Sequence, residues 1–566
     1  MSASKTWRWK APSWSFLLFW LLFSVAWAQR PPAVAVASAH PAATEAGLEV
    51  LRAGGNAFDA AVAVSAALAV VEPYSSGLGG GGFWLLHVAT DGRQVMIDGR
   101  ERAPLAARRD LYLDEKGEVI PKLSIDGPLA AGIPGEPAAL VHIARHYGRL
   151  PLARSLAPAI RLARKGFRVD EHYRRMARWR LEVLRRYPAS AATFLKEGEV
   201  PPEGYLVRQP ELARTLERLA EQGHDGFYAG EVARRLVRAV RARGGIWTEE
   251  DLRDYRVVER EPVVGRYRGH RIVSAAPPSS GGVLLVEMLN MLSALEWSKR
   301  QGVERIHLLV EVMRRAYLDR ARYLGDPDQV EMPLARLLSP EHARAWVAGI
   351  DTDRATPSEA LHEPVPEGRD TTHFSILDAE GNRVAATLSV NYPFGSGFVA
   401  EGTGVLLNDE MDDFSARPGV PNVYGLVGGE ANAIAPGKRM LSSMTPTFVE
   451  SGERVAILGT PGGSRIITMV LLAVLEAVEG RPVEAWVSRP RIHHQYLPDE
   501  VQLEPGALDG GTHAALEARG HRLKELQRPW GNLQVVLWDR VAGEVTAASD
   551  PRGGGSARVE KVQNLH

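Results

Sequence analysis

The chain has 566 residues, with 68 basic and 68 acidic side chains, and it contains no cysteine. Because the charges balance, nothing in the composition favours nucleic acid or an anionic membrane as a partner. The absence of cysteine excludes disulfides, thiolate metal sites and a cysteine nucleophile, which favours hydroxyl groups as candidate nucleophiles. The length suffices for a large core and for more than one folding unit, although no low-complexity linker or internal repeat divides the sequence.

The first 28 residues have the pattern of a secretory signal peptide. Basic residues at Lys5, Arg8 and Lys10 precede an apolar stretch over residues 16–27, which ends in Ala26-Trp27-Ala28. The alternative is a membrane anchor, but about a dozen apolar residues fall short of the ~20 needed to span a bilayer. We therefore expect cleavage after Ala28, a periplasmic or secreted location, and no stable membrane insertion of the mature protein.

Hydrophobic periodicity predicts helices first and strands later in the chain. The predicted helical regions are residues 43–72, 136–166, 209–245 and 304–324. The predicted strand regions are residues 83–98, 270–275, 372–390, 446–459 and 533–548. This mixture indicates helices packed against sheets, and periodicity alone leaves both the α+β and the α/β classes open.

An arginine-rich segment, residues 154–186, is the one local departure from balanced charge. Its apolar residues follow a helical spacing, and Asp170, Glu171 and Glu182 dilute its positive charge. We expect a solvated helical face there, and no nucleic-acid site.

A β-hairpin is predicted over residues 372–390, directly after a polar, proline-containing loop at residues 361–370. Phe374, Ile376 and the alternate residues of the return strand keep a period of two, so one face of the hairpin is predicted to be buried. If the chain is cut between Asp370 and Thr371, Thr371 gains a free α-amine beside its hydroxyl. With an ordinary pKa of roughly 7.7–8.0, that amine can accept the hydroxyl proton without a histidine. Thr371 is thus a candidate N-terminal nucleophile.

Several further motifs accompany this hairpin in a fixed order. They are Asn-Ala-Phe-Asp-Ala-Ala at 56–61, Glu-Pro-Tyr-Ser-Ser-Gly-Leu at 72–78 followed by four glycines, and the segments 408–415, 418–425, 441–447 and 459–465. Together they resemble the gamma-glutamyltransferase (glutathione hydrolase) family of the N-terminal nucleophile hydrolase superfamily. The resemblance extends from about residue 33 to residue 555.

The resemblance implies an α+β fold of four layers, an αββα sandwich. It also implies that a precursor cuts itself into a large subunit, residues 29–370, and a small catalytic subunit, residues 371–566, which form a heterodimer with one core. Thr371 would attack the γ-glutamyl amide of glutathione or a related donor. The acyl group would then pass to water or to an amino acid or peptide acceptor.

The resemblance also assigns roles to individual residues. Gly462 and Gly463 match the oxyanion hole, and Ser389 matches the position of a threonine that hydrogen-bonds the nucleophile. Arg100, Ser442 and Ser443 match the groups that bind the donor's α-carboxylate. Asn391, Glu410 and Asp413 match those that hold its α-ammonium, with Glu410 at a position where other members carry glutamine. Residues 418–429, which include Tyr424, resemble a lid over the pocket.

No cofactor or metal is expected. The adjacent His493 and His494 sit in a strand-like segment, where neighbouring side chains point to opposite faces, and no third ligand stands at metal spacing. The glycines at 79–82 are followed by Phe83 and not by the Gly-Lys-Ser/Thr of a phosphate loop, so we expect close backbone packing near the site.

Two alternative functions remain open. A β-lactam side-chain acylase of the same fold would transfer a glutaryl group, but a glutaryl chain offers no ammonium to Asp413. A non-catalytic periplasmic binding protein would keep the pocket without cutting itself, which the full set Thr371, Asn391, Gly462 and Gly463 argues against.

Self-cleavage is expected to be slow in this chain, because Ser389 keeps the hydroxyl of the usual threonine but lacks the methyl group that restricts its rotamer. A Ser389→Thr variant should therefore convert to two fragments faster than the unmodified chain. A time course on denaturing gels measures this conversion. A variant that is cut no faster contradicts the expectation.

Overall fold

The computed structural model describes residues 30–358 and 371–564. The predicted signal peptide and its cleavage after Ala28 lie outside the described residues, as does the predicted loop at 361–370 with Asp370. Within the described part of the chain, no helix is both long enough and apolar enough to cross a membrane.

The described residues form 18 α-helices. They are α1 (Pro41–Arg52), α2 (Ala57–Val71), α3 (Glu136–His146), α4 (Leu152–Lys165), α5 (Glu171–Trp179), α6 (Leu181–Arg186), α7 (Pro188–Phe194), α8 (Pro210–Gln222), α9 (Asp225–Tyr228), α10 (Gly230–Ala242), α11 (Glu249–Arg253), α12 (Gly281–Ala294), α13 (Gly302–Tyr323), α14 (Leu334–Leu337), α15 (Pro340–Val347), α16 (Ile466–Val478), α17 (Val483–Ser488) and α18 (Gly510–Ala518).

The same residues form 20 β-strands. They are β1 (Ala33–Ser38), β2 (Gly81–His87), β3 (Gln94–Gly99), β4 (Phe167–Arg168), β5 (Leu206–Val207), β6 (Val258–Arg260), β7 (Val263–Tyr267), β8 (His270–Ser274), β9 (Thr372–Leu377), β10 (Arg383–Ser389), β11 (Val399–Ala400), β12 (Val405–Leu406), β13 (Thr447–Glu450), β14 (Arg454–Gly459), β15 (Ile492–His493), β16 (Val501–Leu503), β17 (Leu523–Glu525), β18 (Gln534–Asp539), β19 (Glu544–Ser549) and β20 (Ser556–Lys561).

Two large antiparallel sheets pack face to face. The first has the order β20-β1-β9-β10-β2-β3-β6 and the second the order β19-β18-β14-β13-β8-β7. Strands β9 and β10 of the first sheet contact β14 of the second, while α1 and α2 cover the first sheet and α12 and α16 the second. This arrangement confirms the α+β class and the four-layer αββα sandwich.

Alternate residues of each central strand enter different cores, which is the consequence of a sheet buried on both faces. On β1, Val34 and Val36 belong to the core beneath α1 and α2, whereas Ala33, Ala35 and Ala37 belong to the core between the sheets.

The prediction of one buried hairpin face was incomplete for the same reason. Phe374 and Ile376 pack under the helices as expected, but Leu377 and Ala385 are also buried, in the core between the sheets. The second face carries the polar side chains of His373 and Ser375, which are both fully buried. Because these residues are polar, the sequence pattern did not indicate that this face is buried. The hairpin itself is confirmed as β9 and β10.

Strands from both sides of the 370/371 junction alternate within the sheets. In the first sheet, β1 lies between β9 and β20, and β10 pairs with β2. In the second sheet, β13 pairs with β8. A chain cut at that junction would therefore keep both fragments in one shared core.

The helical predictions are confirmed in position, and region 304–324 is one continuous helix, α13, but the other three regions are divided. The region 43–72 is two helices, because Gly54 has a φ of 88° and Asn56 starts α2 with a capping box to Asp59. Regions 136–166 and 209–245 are likewise divided. Helices α12 and α16 were not predicted, because they are buried on nearly all sides and so lack an amphipathic period. Arginines of the arginine-rich segment make ion pairs with nearby glutamates at the surface, as expected of a solvated face.

Glu136, the first residue of α3, is fully buried, and its carboxylate oxygens have no hydrogen-bond partner among the described residues. Burial raises its pKa from an ordinary 4.5 to about 8, and the nearby Gly77 amide opposes only part of that rise. Between these values the folded protein keeps a proton that the unfolded chain has lost. Its unfolding free energy should thus fall as the pH rises through this window, by up to about 1.4 kcal/mol per pH unit.

A Glu136→Gln variant should lose this contribution. Its melting temperature should fall less steeply from about pH 4.5 to about pH 8 than that of the unmodified protein. Glu115→Gln, at an exposed carboxyl group, is the matched control and should keep the original slope. Equal slopes for all three proteins would show that Glu136 is ionised in the folded state.

Candidate active site

Thr371 lies directly before β9, one of the central strands of the first sheet, and is 6% exposed. It lines two cavities at once. One is a tight cavity of about 20 Å³, and the other is an open cavity of about 650 Å³. Thr371 is the only described residue common to both linings. The candidate nucleophile therefore stands at the junction of two separate spaces.

The tight cavity brings together most of the residues that the sequence singled out. Besides Thr371 it is lined by Arg100, Ser389, Asn391, Glu410, Asp413, Tyr424, Ser442, Ser443 and Gly463. Gly462 lines the open cavity beside Thr371. Asp370 lies outside the described residues. These positions come from residue 100 to residue 463, so only the folded sandwich makes them neighbours.

The Arg100 guanidinium is fully buried at the base of the tight cavity. Its Nη1 lies 2.8 Å from Glu410 Oε2, its Nη2 hydrogen-bonds Asp413 Oδ2, and its Nε donates to the Met440 carbonyl at 3.2 Å. Burial alone would lower the pKa of Arg100, but Glu410, Asp413 and Glu101 together raise it above its ordinary value. A permanent, oriented cation is the result.

Glu410 is a buried carboxylate without aligned hydrogen bonds. It is 1% exposed, and although one oxygen lies close to Arg100, neither oxygen has a hydrogen-bond partner among the described residues. Burial raises its pKa well above the ordinary value, and the charge of Arg100 opposes that rise. A donor group with a positive charge would satisfy these oxygens, and an α-ammonium has that chemistry.

Asp413 occupies the same end of the cavity, at the end of a 3₁₀ turn over Glu410–Asp413. Its second carboxylate oxygen accepts from Asn422 Nδ2 at 3.1 Å, so the carboxylate connects Arg100 to the predicted lid segment.

The tight cavity is too small for an amino-acid group, because about 20 Å³ accommodates roughly one water molecule. Its charged groups bond to one another instead. A ligand with one carboxylate and one ammonium could replace these internal ion pairs with equivalent ones, the carboxylate at Arg100 and the ammonium at Glu410 and Asp413.

Ser442 and Ser443 form the opposite wall. Ser442 Oγ accepts from the Met444 amide at 3.1 Å, and Ser443 Oγ accepts from Arg320 Nη2 at 3.3 Å. Arg320 was missed by the sequence analysis. It is 4% exposed, and burial lowers its pKa to about 10. Its position on α13 inside an ordinary helical pattern gave no signal that it supports this wall.

Ser389 and Asn391 are linked to each other behind Thr371. Ser389 Oγ accepts from the Asn391 amide at 2.7 Å, and Asn391 has a left-handed backbone with a φ of 74°. The Asn391 side-chain amide donates to the Asp409 carbonyl at 3.0 Å. The side-chain nitrogen of Asn391 is thus hydrogen-bonded to the loop, and its side-chain oxygen is the atom that can accept a hydrogen bond from an ammonium group.

Gly462 and Gly463 open the turn that leads into α16. They have φ angles of 142° and 56°, which an L-residue rarely adopts, and each lines one of the two cavities together with Thr371. The start of a helix adds a positive partial charge at that point. The pair can therefore stabilise a developing oxyanion.

Tyr424 closes the tight cavity. Its hydroxyl donates to the Asn391 carbonyl at 2.6 Å, and its ring packs so closely on Gly463 that a Cβ there would lie 2.6 Å from the ring. The Val423 amide donates to Asp412 Oδ2 at 2.8 Å and holds the same segment. The lid role of this segment stays a prediction.

The glycines at 79–82 pack against backbone, as predicted. A Cβ on Gly80 would lie 2.1 Å from the Ser389 carbonyl oxygen, and one on Gly79 would lie 2.0 Å from the Leu406 carbonyl oxygen. These contacts fix Ser389 at the end of β10.

His493 and His494 do not converge on one point. His493 hydrogen-bonds Thr468 and Gln495, whereas His494 faces Asp499. Two other groups of histidines and carboxylates lie close together, His307 with Glu311 and His521, and Glu287 with Asp319 and His342. None of these residues lines either cavity at Thr371, and the absence of a metal requirement stays a prediction.

Solved structures with a similar fold define the class of protein. The structure of a cephalosporin acylase from Bacillus halodurans aligns with a TM-score of 0.81 at 29% identity, over 94% of this chain and 96% of that chain. A Helicobacter pylori gamma-glutamyltranspeptidase chain aligns with a TM-score of 0.55 at 41% identity, over 58% of this chain and 96% of that chain. The fold is that of an N-terminal nucleophile hydrolase.

Sequence comparison gives the family within that class. The gamma-glutamyltranspeptidase family profile matches residues 43–559. A glutathione hydrolase proenzyme of Pseudomonas sp. (strain A14) is 45% identical over 530 residues, 91% of each chain. The proenzyme of the same name from Escherichia coli (strain K12) is 43% identical over 525 residues, 91% of this chain and 90% of that protein. The chain belongs to the gamma-glutamyltranspeptidase family and is an enzyme.

A Gly463→Ala variant tests whether the space at Gly463 matters for turnover, apart from the backbone strain that any side chain at a positive φ causes. The new Cβ collides with the Tyr424 ring, and a displacement of about 1 Å near reacting atoms costs about 100-fold in rate. Gly506→Ala is the matched control, since Gly506 has a similar φ of 74° with nothing within 4 Å of its Cβ position. Both variants should lose melting temperature because of the positive φ, Gly463→Ala should lose more because of the collision, and Gly463→Ala alone should lose turnover. Equal turnover in the two variants would contradict this role of Gly463.

Proposed function

We infer that this protein is a self-processing glutathione hydrolase and γ-glutamyltransferase with Thr371 as its nucleophile. One observation carries the proposal, namely that Thr371 shares a tight cavity with a buried Arg100 and with Glu410 and Asp413. This is a constellation for an acyl donor that bears both a carboxylate and an ammonium. The relatives named glutathione hydrolase proenzyme support glutathione as that donor.

Maturation begins when Thr371 Oγ attacks the Asp370 carbonyl carbon. The peptide bond breaks as the ester forms, and the amide nitrogen takes the hydroxyl proton and becomes the free α-amine of Thr371. Water then hydrolyses the ester, which leaves a carboxylate on Asp370 and restores the hydroxyl. This cut yields a large subunit, residues 29–370, and a small subunit, residues 371–566, as a heterodimer.

In the mature enzyme the Thr371 amine takes the proton of its own hydroxyl as Oγ attacks the γ-carbonyl of the donor. The oxyanion is stabilised by the Gly462 and Gly463 amides, and such donors are typically worth ~2.7–4 kcal/mol each. The leaving amine collects the proton, and a γ-glutamyl ester on Thr371 remains. Water or the amine of an amino acid or peptide then attacks this ester and releases glutamate or a new γ-glutamyl compound.

The donor's polar groups are divided by charge. Its carboxylate binds Arg100 with help from the Ser442 and Ser443 hydroxyls, and its ammonium binds Glu410, Asp413 and the Asn391 oxygen. The Tyr424 lid must move aside to admit the donor, because the cavity that it covers holds only about one water molecule, and once closed it excludes water and commits the donor. Ser389 orients Thr371 from behind.

The proposal includes export. The signal-like segment 1–28 supports a periplasmic or secreted protein that is cleaved after Ala28. The heterodimer is supported by the proenzyme names of the relatives. It is also supported by the Helicobacter pylori chain, which matches only 58% of this chain while being covered over 96% of its own length.

A glutaryl-transferring acylase is the less favoured alternative. The acylase structure shares the fold at 29% identity, but relatives at 43% and 45% identity are named glutathione hydrolase proenzymes. A glutaryl group would also bring no hydrogen-bond donor to the Glu410 oxygens, which have no hydrogen-bond partner among the described residues.

Intact mass of the purified protein tests the proposal. We expect two fragments that meet between residues 370 and 371, no cleavage in Thr371→Ala, and slower cleavage in Thr371→Ser, which keeps a hydroxyl. The processed sample should release glutamate from glutathione, whereas Thr371→Ala should not. An uncut wild-type chain that nevertheless hydrolyses glutathione would contradict the role of Thr371, and a cut chain without turnover would contradict the substrate.

A further inference from the structure

Three neighbouring helices bring a glutamate, an aspartate and a histidine together outside both cavities at Thr371. Glu287 lies on α12, Asp319 on α13 and His342 near the start of α15, and α12 packs against both other helices. The three side chains offer one ligand atom each, and these atoms all lie within 4.8 Å of one another. None of them has a part in the proposed reaction, so their convergence requires another explanation.

Glu287 is the member of this group that lacks a hydrogen-bond partner. Its side chain is fully buried, and neither carboxylate oxygen is hydrogen-bonded to any described residue. Its Oε1 faces the group at 3.6 Å from His342 Nε2, which is too long for a hydrogen bond. In the part of the chain that the structure describes, this is its only ion-pair contact. A buried carboxylate without a donor is costly, and a bound cation would stabilise it.

Asp319 and His342 are held in position by their neighbours. His342 Nε2 lies 2.6 Å from Asp319 Oδ2, and Trp346 Nε1 donates to the same oxygen at 2.6 Å. The His342 backbone amide donates to Ser339 Oγ at 3.1 Å, which fixes the start of α15. Hydrogen bonds of this kind, from outside a metal site to its ligands, orient the ligands before the ion binds.

The spacing of the three side chains suits a small divalent cation. Nitrogen and oxygen ligands bind Zn²⁺ at about 2.0–2.2 Å in a tetrahedron, so neighbouring ligand atoms are about 3.4 Å apart. Glu287 and His342 are already 3.6 Å apart, and the 2.6 Å between His342 and Asp319 must lengthen by about 0.8 Å. A divalent cation also neutralises the two carboxylates, which lowers the cost of burying them. The His342 side chain is 13% exposed, so a water molecule can supply the fourth ligand.

The second group of possible ligands, His307 with Glu311 and His521, is less suited to a cation. Glu311 is already paired with Arg314 and Arg315, and the charges of these arginines repel a metal ion. His307 Nδ1 and His521 Nε2 are also hydrogen-bonded to each other at 2.7 Å. The first group forms no ion pair with an arginine in the described part of the chain, so it is the better candidate.

We propose that Glu287, Asp319 and His342 bind a divalent metal cation, with Zn²⁺ as the ion that this set of ligands fits. The ion connects α12, α13 and α15 and contributes to stability, not to the reaction. When it binds, His342 offers the lone pair of Nε2, and a proton on that atom moves to Nδ1 or is released to water. The sequence analysis expected no metal, because no local pattern shows that residues of three separate helices converge.

A proton is the competing ligand of these carboxyl groups. Burial and the charge of Asp319 raise the pKa of Glu287 well above its ordinary value, so the two carboxyl groups can share one proton in place of a cation. The two explanations differ in what they predict. A metal site binds zinc and releases the shared proton, whereas a carboxyl pair that only shares a proton does not respond to zinc.

Zinc titration of the purified protein, expressed without an affinity tag, tests the proposal. The protein is first dialysed against a chelator and then against metal-free buffer. It should then bind about one equivalent of Zn²⁺, measured by inductively coupled plasma mass spectrometry. At a zinc concentration a hundredfold above Kd, the melting temperature should rise by about 2 °C, because only the folded state brings the three ligands together.

Glu287→Gln and His342→Gln should each weaken zinc binding by about a hundredfold or more and abolish the rise in melting temperature. A cooperative melting transition shows that each variant is folded. Glu341→Gln is the matched control, because this carboxylate lies on α15 next to His342 but pairs with Arg344 at the surface. His521→Gln is a second control and disrupts the other group of possible ligands. Both controls should bind zinc as the unmodified protein does.

An unmodified protein that binds no zinc after dialysis, and whose melting temperature zinc does not change, overturns the proposal and leaves a shared proton at Glu287. Zinc binding that survives in both Glu287→Gln and His342→Gln also overturns it, because the ion then lies elsewhere. The same holds if His521→Gln alone loses the ion. None of these measurements involves glutathione turnover, so the proposed function is tested separately.

Discussion

The buried Arg100 guanidinium is the interaction on which the whole site depends. A fully buried cation is costly unless it is paired and hydrogen-bonded, and here Glu410, Asp413 and the Met440 carbonyl surround it. The backbone of Arg100 is also fixed, since its carbonyl accepts from Tyr255 OH at 2.6 Å. Because these charges are held by the fold before any ligand arrives, the donor's own charges meet oriented partners and do not have to organise them.

The sandwich places the nucleophile where these charges can be used. Strand β9 lies between β1 and β10, and both faces of this sheet are covered, so Thr371 at its beginning has little freedom of position. Gly462 and Gly463 approach from the second sheet through the turn after β14. The reacting groups thus come from both sheets, and the packing of one sheet on the other sets their separation. This explains why one continuous core is compatible with a cut between residues 370 and 371.

Much of this could be predicted from sequence, since short motifs and period-two strands are local patterns. The hairpin and the helical regions were identifiable in that way, whereas the residues around the tight cavity were assigned through the family resemblance that the motifs carry. Asn391 illustrates what could not be predicted. Its side-chain amide donates to the Asp409 carbonyl, and this contact exists only in the folded loop. Arg320 was missed for a similar reason, as it is an ordinary charged residue of a helix until folding brings it beside Ser443. The open cavity joins α5 to the loop around Trp530, about 350 residues apart, and no local pattern connects them.

The two cavities place opposite demands on their ligands, and this asymmetry follows from their electrostatics. In the tight cavity the cation and the carboxylates already neutralise one another, so a ligand must carry both charges to displace them without leaving a buried charge unpaired. In the open cavity Arg175 and Arg528 have no carboxylate partner and are partly solvated, so a single negative charge is attracted without displacing anything. The tight cavity therefore accepts only ligands that carry both charges, whereas the open cavity accepts a wider range of ligands. An enzyme that forms one kind of acyl group and passes it to varied amines requires that combination.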